Sequence, residues 1–253
     1  MLGPPAGPVA RLGVLGGSFN PPHLGHLALA RHALHELALD RVLLIPAQRS
    51  PHKQAAADPG PEHRLRMCRL AVAGEPALRV SALELQRPGP SYTVDTLRVL
   101  HAEHPDTELT FLVGADVART LSDWRQPRQL LELAELAVAL RGSVREDGDA
   151  RGGDEARDVA QAGERDVRRA LADLPQARVR FLRMPPLDVS SSLVRARVAA
   201  GESIDGLVAP AVAAYIAEHG LYRAGVSRAA VGGPTGATAH HARPAKAPGE
   251  GRQ

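Results

Sequence analysis

The sequence predicts an α/β protein built on a doubly wound parallel sheet, with helices on both faces and a helical C-terminal part. Short, almost uninterrupted apolar segments recur between residues 11 and 182, as expected of strands that are covered on both faces. Amphipathic segments with a helical period separate them. Such alternation favours parallel strands joined by right-handed helical crossovers, which is a Rossmann-like arrangement.

The individual elements follow from these two patterns in chain order. The predicted strands are residues 11–15, 41–46, 79–82, 108–113, 135–140 and 178–182. The predicted helices are residues 24–38, 61–73, 93–104, 116–121, 127–133, 164–172, 190–200 and 210–218. Ligands of such sheets bind at the carboxyl ends of the strands, so the residues that follow each strand are the first candidates for a site.

One domain over residues 11–223 accounts for all predicted elements. Residues 1–10 and the Gly/Ala/Pro-rich residues 224–253 are predicted to be disordered. Residues 142–163 are charged and glycine-rich without an apolar period, so we expect a surface excursion there.

Composition excludes several classes of protein. The net charge of +3 is carried by the tail 224–253, so the body is neutral and nothing favours a nucleic-acid partner. A lone cysteine, Cys68, rules out an internal disulfide and favours a reducing cytoplasm. No signal peptide and no apolar run of about 20 residues is present, so no membrane association is expected. The sequence leaves open whether the chain forms a homo-oligomer.

The most informative segment is GVLGGSFNPPHLGHL, residues 13–27. Gly16 and Gly17 end the first strand and allow backbone amides to approach a phosphate. His23 and His26 follow at the start of a helix, where two imidazoles spaced by three residues share one face and meet the positive end of the helix dipole. A zinc site and simple surface histidines are the alternatives, but a third zinc ligand is not evident. The combination favours a site for a nucleoside triphosphate.

Two further segments carry groups suited to phosphate. Ser50-Pro51-His52-Lys53 follows the second strand, and a mobile lysine suits a pyrophosphate leaving group, although a solvated basic loop would look the same. In residues 189–195, VSSSLVR, a serine cap and an arginine one turn later predict a second anion site at a helix start.

The acceptor side is predicted from the third and fourth strands. Ser91, Tyr92 and Thr93 open the third long helix, and Asp116 follows the fourth strand, where an acidic residue often accepts ribose hydroxyls. Trp124, the single tryptophan, suits stacking on a flat heterocycle, and a role in the core explains it equally well.

Together these segments resemble bacterial nicotinate mononucleotide adenylyltransferases, members of the nucleotidyltransferase superfamily with an H-x-G-H motif. The resemblance covers residues 11–223. The matching segments, in the family's order, are GGSFNPPHLGH, SPHK, ELQRPGPSYTVDTL, VGADVARTLSDW, VSSSLVR and YIAEHGLY.

The resemblance implies transfer of AMP from ATP to nicotinate mononucleotide, giving deamido-NAD and pyrophosphate, with Mg²⁺ bound mainly through the ATP phosphates. It implies catalytic roles for His23, His26, Lys53 and Arg195. It implies ATP contacts from Gly16, Gly17, Ser18, Phe19, His23, His26, Ser191, Ser192 and Arg195. It implies nicotinate mononucleotide contacts from Ser91, Tyr92, Thr93, Asp116, Trp124 and Arg141.

The chain departs from the family pattern at three places. Asn20 stands where Asp is usual, Ser50 stands where Pro is common, and Arg141-Gly142-Ser143 stands where Arg-Pro-Gly is usual. We expect position 20 to shape the turn rather than to react.

Other functions fit parts of the same pattern. An adenylyltransferase for phosphopantetheine or nicotinamide mononucleotide would share the H-x-G-H motif but lack the SYT and tryptophan group. A non-catalytic nucleotide sensor would not need every phosphate-handling group. An RNA-directed enzyme is disfavoured by the neutral body.

Overall fold

The computed structural model describes residues 9–49, 57–141, 152–174, 176–185 and 187–223. Its six strands form one parallel sheet in the order β3-β2-β1-β4-β5-β6. The strands are β1 Arg11–Gly17, β2 Arg41–Pro46, β3 Leu78–Val80, β4 Glu108–Gly114, β5 Glu135–Arg141 and β6 Val179–Met184. The predicted fold class is confirmed. The strand order reverses between β1 and β4, which opens a crevice at their carboxyl ends.

Eight helices connect or follow the strands. They are α1 Leu24–Glu36, α2 Pro61–Ala71, α3 Thr93–Glu103, α4 Ala115–Ala118, α5 Pro127–Leu133, α6 Gly152–Ala170, α7 Ser191–Ala200 and α8 Pro210–Glu218. A short 3₁₀ turn spans Leu121–Asp123. The predicted helical C-terminal part corresponds to α7 and α8. Among the residues that the structure describes, none of the helices is both long enough and apolar enough to cross a bilayer.

Alternation along the strands divides the core into two layers. In β2, Val42 and Leu44 pack with α1, α2, α7 and α8, whereas Leu43 and Ile45 pack with α3, α5 and α6 on the opposite face. All six residues of β2 are buried, because a central parallel strand is covered on both sides. This double layer fixes the carboxyl end of β1, where the candidate site begins.

Helix α6 corrects one prediction. It begins at Gly152 rather than at 164, so residues 152–163, expected in a surface excursion, are helical, whereas 142–151 lie outside the described residues. The buried face uses small residues: Ala160 is buried, and a Cβ added at Gly163 would already contact the Leu140 side chain at 3.5 Å. Alanine and glycine stand where large apolar side chains would mark a buried helix face, which is why the sequence did not predict the start of this helix.

The N-terminal boundary also differs from the prediction. Ala10, expected in a disordered segment, donates its N–H to the Asp40 carboxylate at 2.8 Å, and its carbonyl accepts from Glu108 N–H at 2.8 Å. Residues 1–8 and 224–253 lie outside the described part of the chain.

Candidate active site

The end of β1 and the loop that follows it, residues 16–22, contain the predicted phosphate-binding glycines and are called the phosphate turn. Gly16 and Gly17 end β1, as predicted, and Phe19 has a left-handed backbone with φ of 47°. The Phe19 side chain is buried and packs under the site, with its ring centroid 4.9 Å from that of His26. The turn is therefore anchored by an apolar residue while its polar groups remain at the sheet edge.

His23 and His26 form a contacting pair at the start of α1. His23 is the N-cap residue, and the two ring centroids lie 3.7 Å apart, which confirms that the spacing places them on one face. The backbone N–H of His23 donates to His26 Nδ1 at 3.2 Å. Because Nδ1 accepts this bond, a neutral His26 ring carries its proton on Nε2. The backbone thus keeps Nε2–H available as a donor.

Gly25, between the histidines, is required by their packing. A Cβ at this position would lie 3.0 Å from His23 Nδ1 and 3.1 Å from a methyl carbon of Val189. Any side chain would push the His23 ring or the segment before α7. The glycine of the motif thus lets the imidazole lie close to the helix backbone.

Helix α7 holds the phosphate turn from the other side. Ser190 caps the helix by accepting from Leu193 N–H at 3.1 Å, as the sequence predicted for a serine. Ser191 Oγ donates to the Pro21 carbonyl at 2.8 Å, and Arg195 Nη1 donates to the Asn20 carbonyl at 2.7 Å. Arg195 Nη2 also donates to Ser192 Oγ at 3.1 Å. The predicted second anion site therefore lies directly beside the first.

Asn20 shapes the turn, as expected for this position. It is 2% exposed, its Nδ2 donates to the Ala57 carbonyl at 3.1 Å, and its Oδ1 accepts from the Tyr222 hydroxyl at 2.6 Å. Burial raises the pKa of the Tyr222 phenol above its ordinary value. The phenol therefore remains a proton donor to Asn20. Tyr222 ends the matching segment YIAEHGLY, but the sequence did not predict its role.

Arg64, on the first turn of α2, was also missed. Its side chain is 2% exposed, which is unusual for an arginine. Nη1 donates to the Ser18 carbonyl at 2.8 Å, Nη2 to the Gln48 carbonyl at 3.1 Å and Nε to Asp58 Oδ1 at 3.1 Å. Its guanidinium joins the phosphate turn to both flanks of residues 50–56.

Lys53, with Ser50, lies in that segment 50–56, outside the described residues. Its predicted role as a phosphate-binding side chain therefore stays a prediction. The residues at the two sides of the segment, Gln48 and Asp58, are described, and both are bonded to Arg64.

Ser91, Tyr92 and Thr93 lie next to the carboxyl end of β2 and start α3, as predicted. Ser91 Oγ accepts from Gln48 N–H at 2.9 Å, and Ser91 N–H donates to the Arg49 carbonyl at 3.0 Å. Tyr92 is the N-cap residue, and the Arg125 guanidinium lies 4.7 Å from the centre of its ring. Arg125 is thus a further charged neighbour that sequence reasoning had not selected.

Asp116 and Trp124 follow β4. The Asp116 side chain is 76% exposed and pairs with Arg119, three residues later. The Trp124 ring lies edge-on to Phe111 with centroids 6.1 Å apart, and its Nε1–H donates to Thr120 Oγ1 at 3.2 Å. Trp124 and Tyr92 pack against the same core layer, so the structure places both at one side of the crevice.

Arg141 is the last residue of β5 and pairs in register with Met184, so its backbone lies at the same edge of the sheet. Its side chain lies outside the described residues. Within the described ranges, no group of three or more His, Cys, Asp or Glu side chains is placed to hold a metal ion.

The chain matches known proteins in sequence and in fold. A cytidylyltransferase-like family model matches residues 14–197. A "probable nicotinate-nucleotide adenylyltransferase" of Symbiobacterium thermophilum is 42% identical over 222 residues, covering 87% of this chain and 98% of the relative. A protein of the same name from Chromobacterium violaceum is 43% identical over 219 residues, covering 85% and 99%.

Solved structures agree on the fold. The Plasmodium falciparum nicotinic acid mononucleotide adenylyltransferase complexed with NaAD superposes with a TM-score of 0.63 at 17% identity, over 84% of this chain and 97% of that one. The identity and coverage of the curated relatives establish the relationship. The chain belongs to the nicotinate-nucleotide adenylyltransferase family, within the cytidylyltransferase-like proteins.

Proposed function

We propose that the protein transfers AMP from ATP to nicotinate mononucleotide, releasing pyrophosphate and forming deamido-NAD. The observation that carries this proposal is the His23–His26 pair on a phosphate turn that α7 holds by two hydrogen bonds. Membership of the family supports the choice of reaction.

The chain needs no covalent intermediate for this reaction. The phosphate of the mononucleotide is already ionised and attacks the α-phosphorus of ATP in line, while pyrophosphate leaves. Catalysis is then alignment and stabilisation of charge on the phosphoryl oxygens. His26 donates through Nε2–H, since its Nδ1 is occupied by the His23 backbone. Arg195 adds positive charge beside the same phosphates, and His23 adds a second imidazole.

In this proposal Mg²⁺ binds together with ATP. Magnesium usually keeps several waters and binds through substrate phosphates rather than a protein cage. It would draw charge from the phosphates, and the side chains of His23, His26 and Arg195 would orient the remaining oxygens. Lys53 would bind the leaving pyrophosphate.

The acceptor is proposed to bind beside α3 and the 3₁₀ turn. Tyr92 and Thr93, preceded by Ser91, would bind the nicotinate carboxylate. The Tyr92 side chain does not cap α3, so it leaves the first backbone N–H groups of the helix to bond with this carboxylate. Trp124 would stack on the pyridine ring, Asp116 would accept ribose hydroxyls and Arg141 would contact the acceptor from β5. The lone cysteine is consistent with a cytoplasmic enzyme.

The test is pyrophosphate release by the purified protein with ATP and Mg²⁺. Nicotinate mononucleotide, nicotinamide mononucleotide and phosphopantetheine are compared as acceptors. A strong preference for the nicotinate form is expected. A preference for another acceptor would overturn the acceptor site but keep the phosphate chemistry, and no release with any acceptor would favour a nucleotide sensor.

A further inference from the structure

We propose that Arg64 is a positioning residue that orients the backbone N–H of Phe19 as a hydrogen-bond donor to the bound phosphates. The inference rests on the proposed function only in taking the anion to be the triphosphate of ATP or the pyrophosphate product. It concerns a side chain that does not touch the substrate.

The orientation of the Ser18–Phe19 peptide is set by a hydrogen bond from Arg64. Arg64 Nη1 holds the Ser18 carbonyl at 2.8 Å from the α2 side. In a trans peptide the C=O and the next N–H point in opposite directions, and the only cis bond among the described residues is Asn20–Pro21. The bond from Arg64 therefore directs Phe19 N–H away from α2.

Among the described residues of the turn, Ser18 is the only one whose carbonyl accepts from a side chain and is followed by a residue with an N–H. Three carbonyls of the turn accept from side chains of other elements, those of Ser18, Asn20 and Pro21, whereas the Gly17 carbonyl accepts from the backbone N–H of Ala47 at 2.9 Å. The residues after Asn20 and Pro21 are prolines, which have no N–H. Arg195 and Ser191 thus only anchor the loop, whereas Arg64 also sets the direction of an amide.

The N–H of Phe19 has no partner within the described part of the chain, although the residue is 1% exposed. Buried backbone N–H groups are nearly always paired, so an acceptor is expected here. The left-handed φ of 47° at Phe19 is a sparsely populated conformation for a non-glycine residue, of the kind that is retained at ligand sites.

The Arg64 guanidinium is fixed by three hydrogen bonds, of which the one to Ser18 is described above. Asp58 Oδ1 accepts from Arg64 Nε at 3.1 Å and from Gly60 N–H at 2.9 Å, and Gln48 O accepts from Nη2 at 3.1 Å. A lysine has no planar fork and cannot make these three bonds together. The guanidinium therefore fixes the position of the turn relative to α2.

The chain offers a direct measurement, because it has three phenylalanines: Phe19, Phe111 and Phe181. Protein labelled with ¹⁵N-phenylalanine gives three amide signals in NMR, which single Phe→Tyr variants assign. Inorganic pyrophosphate is titrated into wild-type protein, Arg64→Lys, Arg64→Gln and the control Met67→Ala. Met67 is a buried residue of the same helix that makes no hydrogen bond to the turn.

We expect the Phe19 signal to shift with pyrophosphate in the wild-type protein and in Met67→Ala. In both Arg64 variants the shift should be lost, and the pyrophosphate affinity should fall about tenfold, the size of one charge-assisted hydrogen bond. In steady-state assays KM for ATP should rise while KM for the acceptor stays unchanged.

An equal Phe19 response in wild-type protein and Arg64→Lys would overturn the inference. A Phe19 signal that stays fixed in wild-type protein would overturn it alone, even if both variants fail to fold, which the Phe111 and Phe181 signals report. Failure of the proposed function is distinct, because it appears as no pyrophosphate release from ATP with any acceptor while pyrophosphate binding is still measurable.

Discussion

The two sides of the crevice are built in different ways. On the proposed phosphate side, Phe19, Asn20 and His23 are buried, and the turn is bonded to α2 and α7, which are distant in sequence. On the acceptor side, Asp116 is mostly exposed and paired with a residue three positions later, and Trp124 is bonded to a residue four positions earlier. The phosphate side is therefore preorganised, whereas the acceptor side depends on local contacts that ligand binding can rearrange.

This difference has a kinetic meaning. Groups that are fixed before binding stabilise the transition state without reorganisation, so their loss lowers kcat. Groups that mainly hold one substrate change KM for that substrate. Variants on the two sides should separate accordingly.

The largest effect is expected for His26→Ala. Loss of the Nε2–H donor should lower kcat by roughly 10²–10³-fold, with KM for ATP little changed. Pyrophosphate release under saturating substrates measures it. His35→Ala is the control, because His35 lies on the same helix with its side chain 88% exposed. A changed KM for ATP with an unchanged kcat would contradict the preorganisation of the proposed phosphate side.

The same position also tests the tautomer. His26→Gln places an amide N–H close to Nε2, whereas His26→Asn places it close to Nδ1. We expect Gln to retain more turnover than Asn, and the reverse order would contradict donation from Nε2.

Arg195→Ala is expected to have the second largest effect. It removes the 2.7 Å bond from α7 to Asn20 and a positive charge beside the turn. A hydrogen bond from a charged group contributes about 1.5–3 kcal/mol. At about 1.4 kcal/mol for each tenfold, kcat/KM for ATP should fall about ten- to hundredfold.

Arg197→Ala is its matched control on α7. Among the described residues, the Arg197 side chain bonds only near the end of its own helix, to Ser203 O at 3.3 Å and to Glu202. Equal loss in the two variants would mean that α7 does not support the phosphate turn through Arg195.

Trp124→Ala tests the acceptor side. Loss of aromatic stacking, about 0.5–1.5 kcal/mol, should raise KM for nicotinate mononucleotide about two- to tenfold and leave KM for ATP unchanged. Because Trp124 is the single tryptophan, its fluorescence reports binding directly. Fluorescence that responds to ATP but not to nicotinate mononucleotide would place the acceptor elsewhere.

The smallest effect is expected for Tyr222→Phe. It removes the 2.6 Å hydrogen bond to Asn20 and should lower the free energy of unfolding by about 1 kcal/mol. The melting temperature should fall by about 2–4 °C. Kinetic constants should stay close to those of the wild-type protein, because Arg195 and Ser191 still hold the turn.

The difference in unfolding free energy between the wild-type protein and Tyr222→Phe depends on pH through the pKa of the Tyr222 phenol. Burial raises the folded-state pKa of Tyr222. The stabilisation is therefore fully present below about pH 10, the ordinary tyrosine pKa, and is lost as pH rises toward the folded value. Thermal unfolding at several pH values checks this, and an advantage of the wild-type protein that grew above pH 10 would contradict it.

The sequence was sufficient to predict the parts of the site that have local signatures. Glycines after an apolar strand, two histidines at a helix start and a serine cap are recognisable because neighbours in sequence create them. The same holds for the strands, all six of which lie within a few residues of their predicted bounds.

The missed residues depend on tertiary contacts. Arg64 occurs in a predicted helix among other charged residues, and only the approach of Ser18 and Gln48 makes its burial favourable. Tyr222 follows the last helix and meets Asn20 across 202 positions. No periodicity or local motif predicts these long-range hydrogen bonds, since neither partner stands out in the sequence by itself.

The span of these bonds also bears on synthesis at the ribosome. The turn at residues 18–21 is made early, but its partners Ser191, Arg195 and Tyr222 emerge after 170 to 202 further residues. A nascent chain that stops before α7 therefore lacks three of the groups that fix the turn and keeps only those made earlier, such as Arg64. Under the proposed function, full ATP affinity should arise only after α7 and Tyr222 have been made.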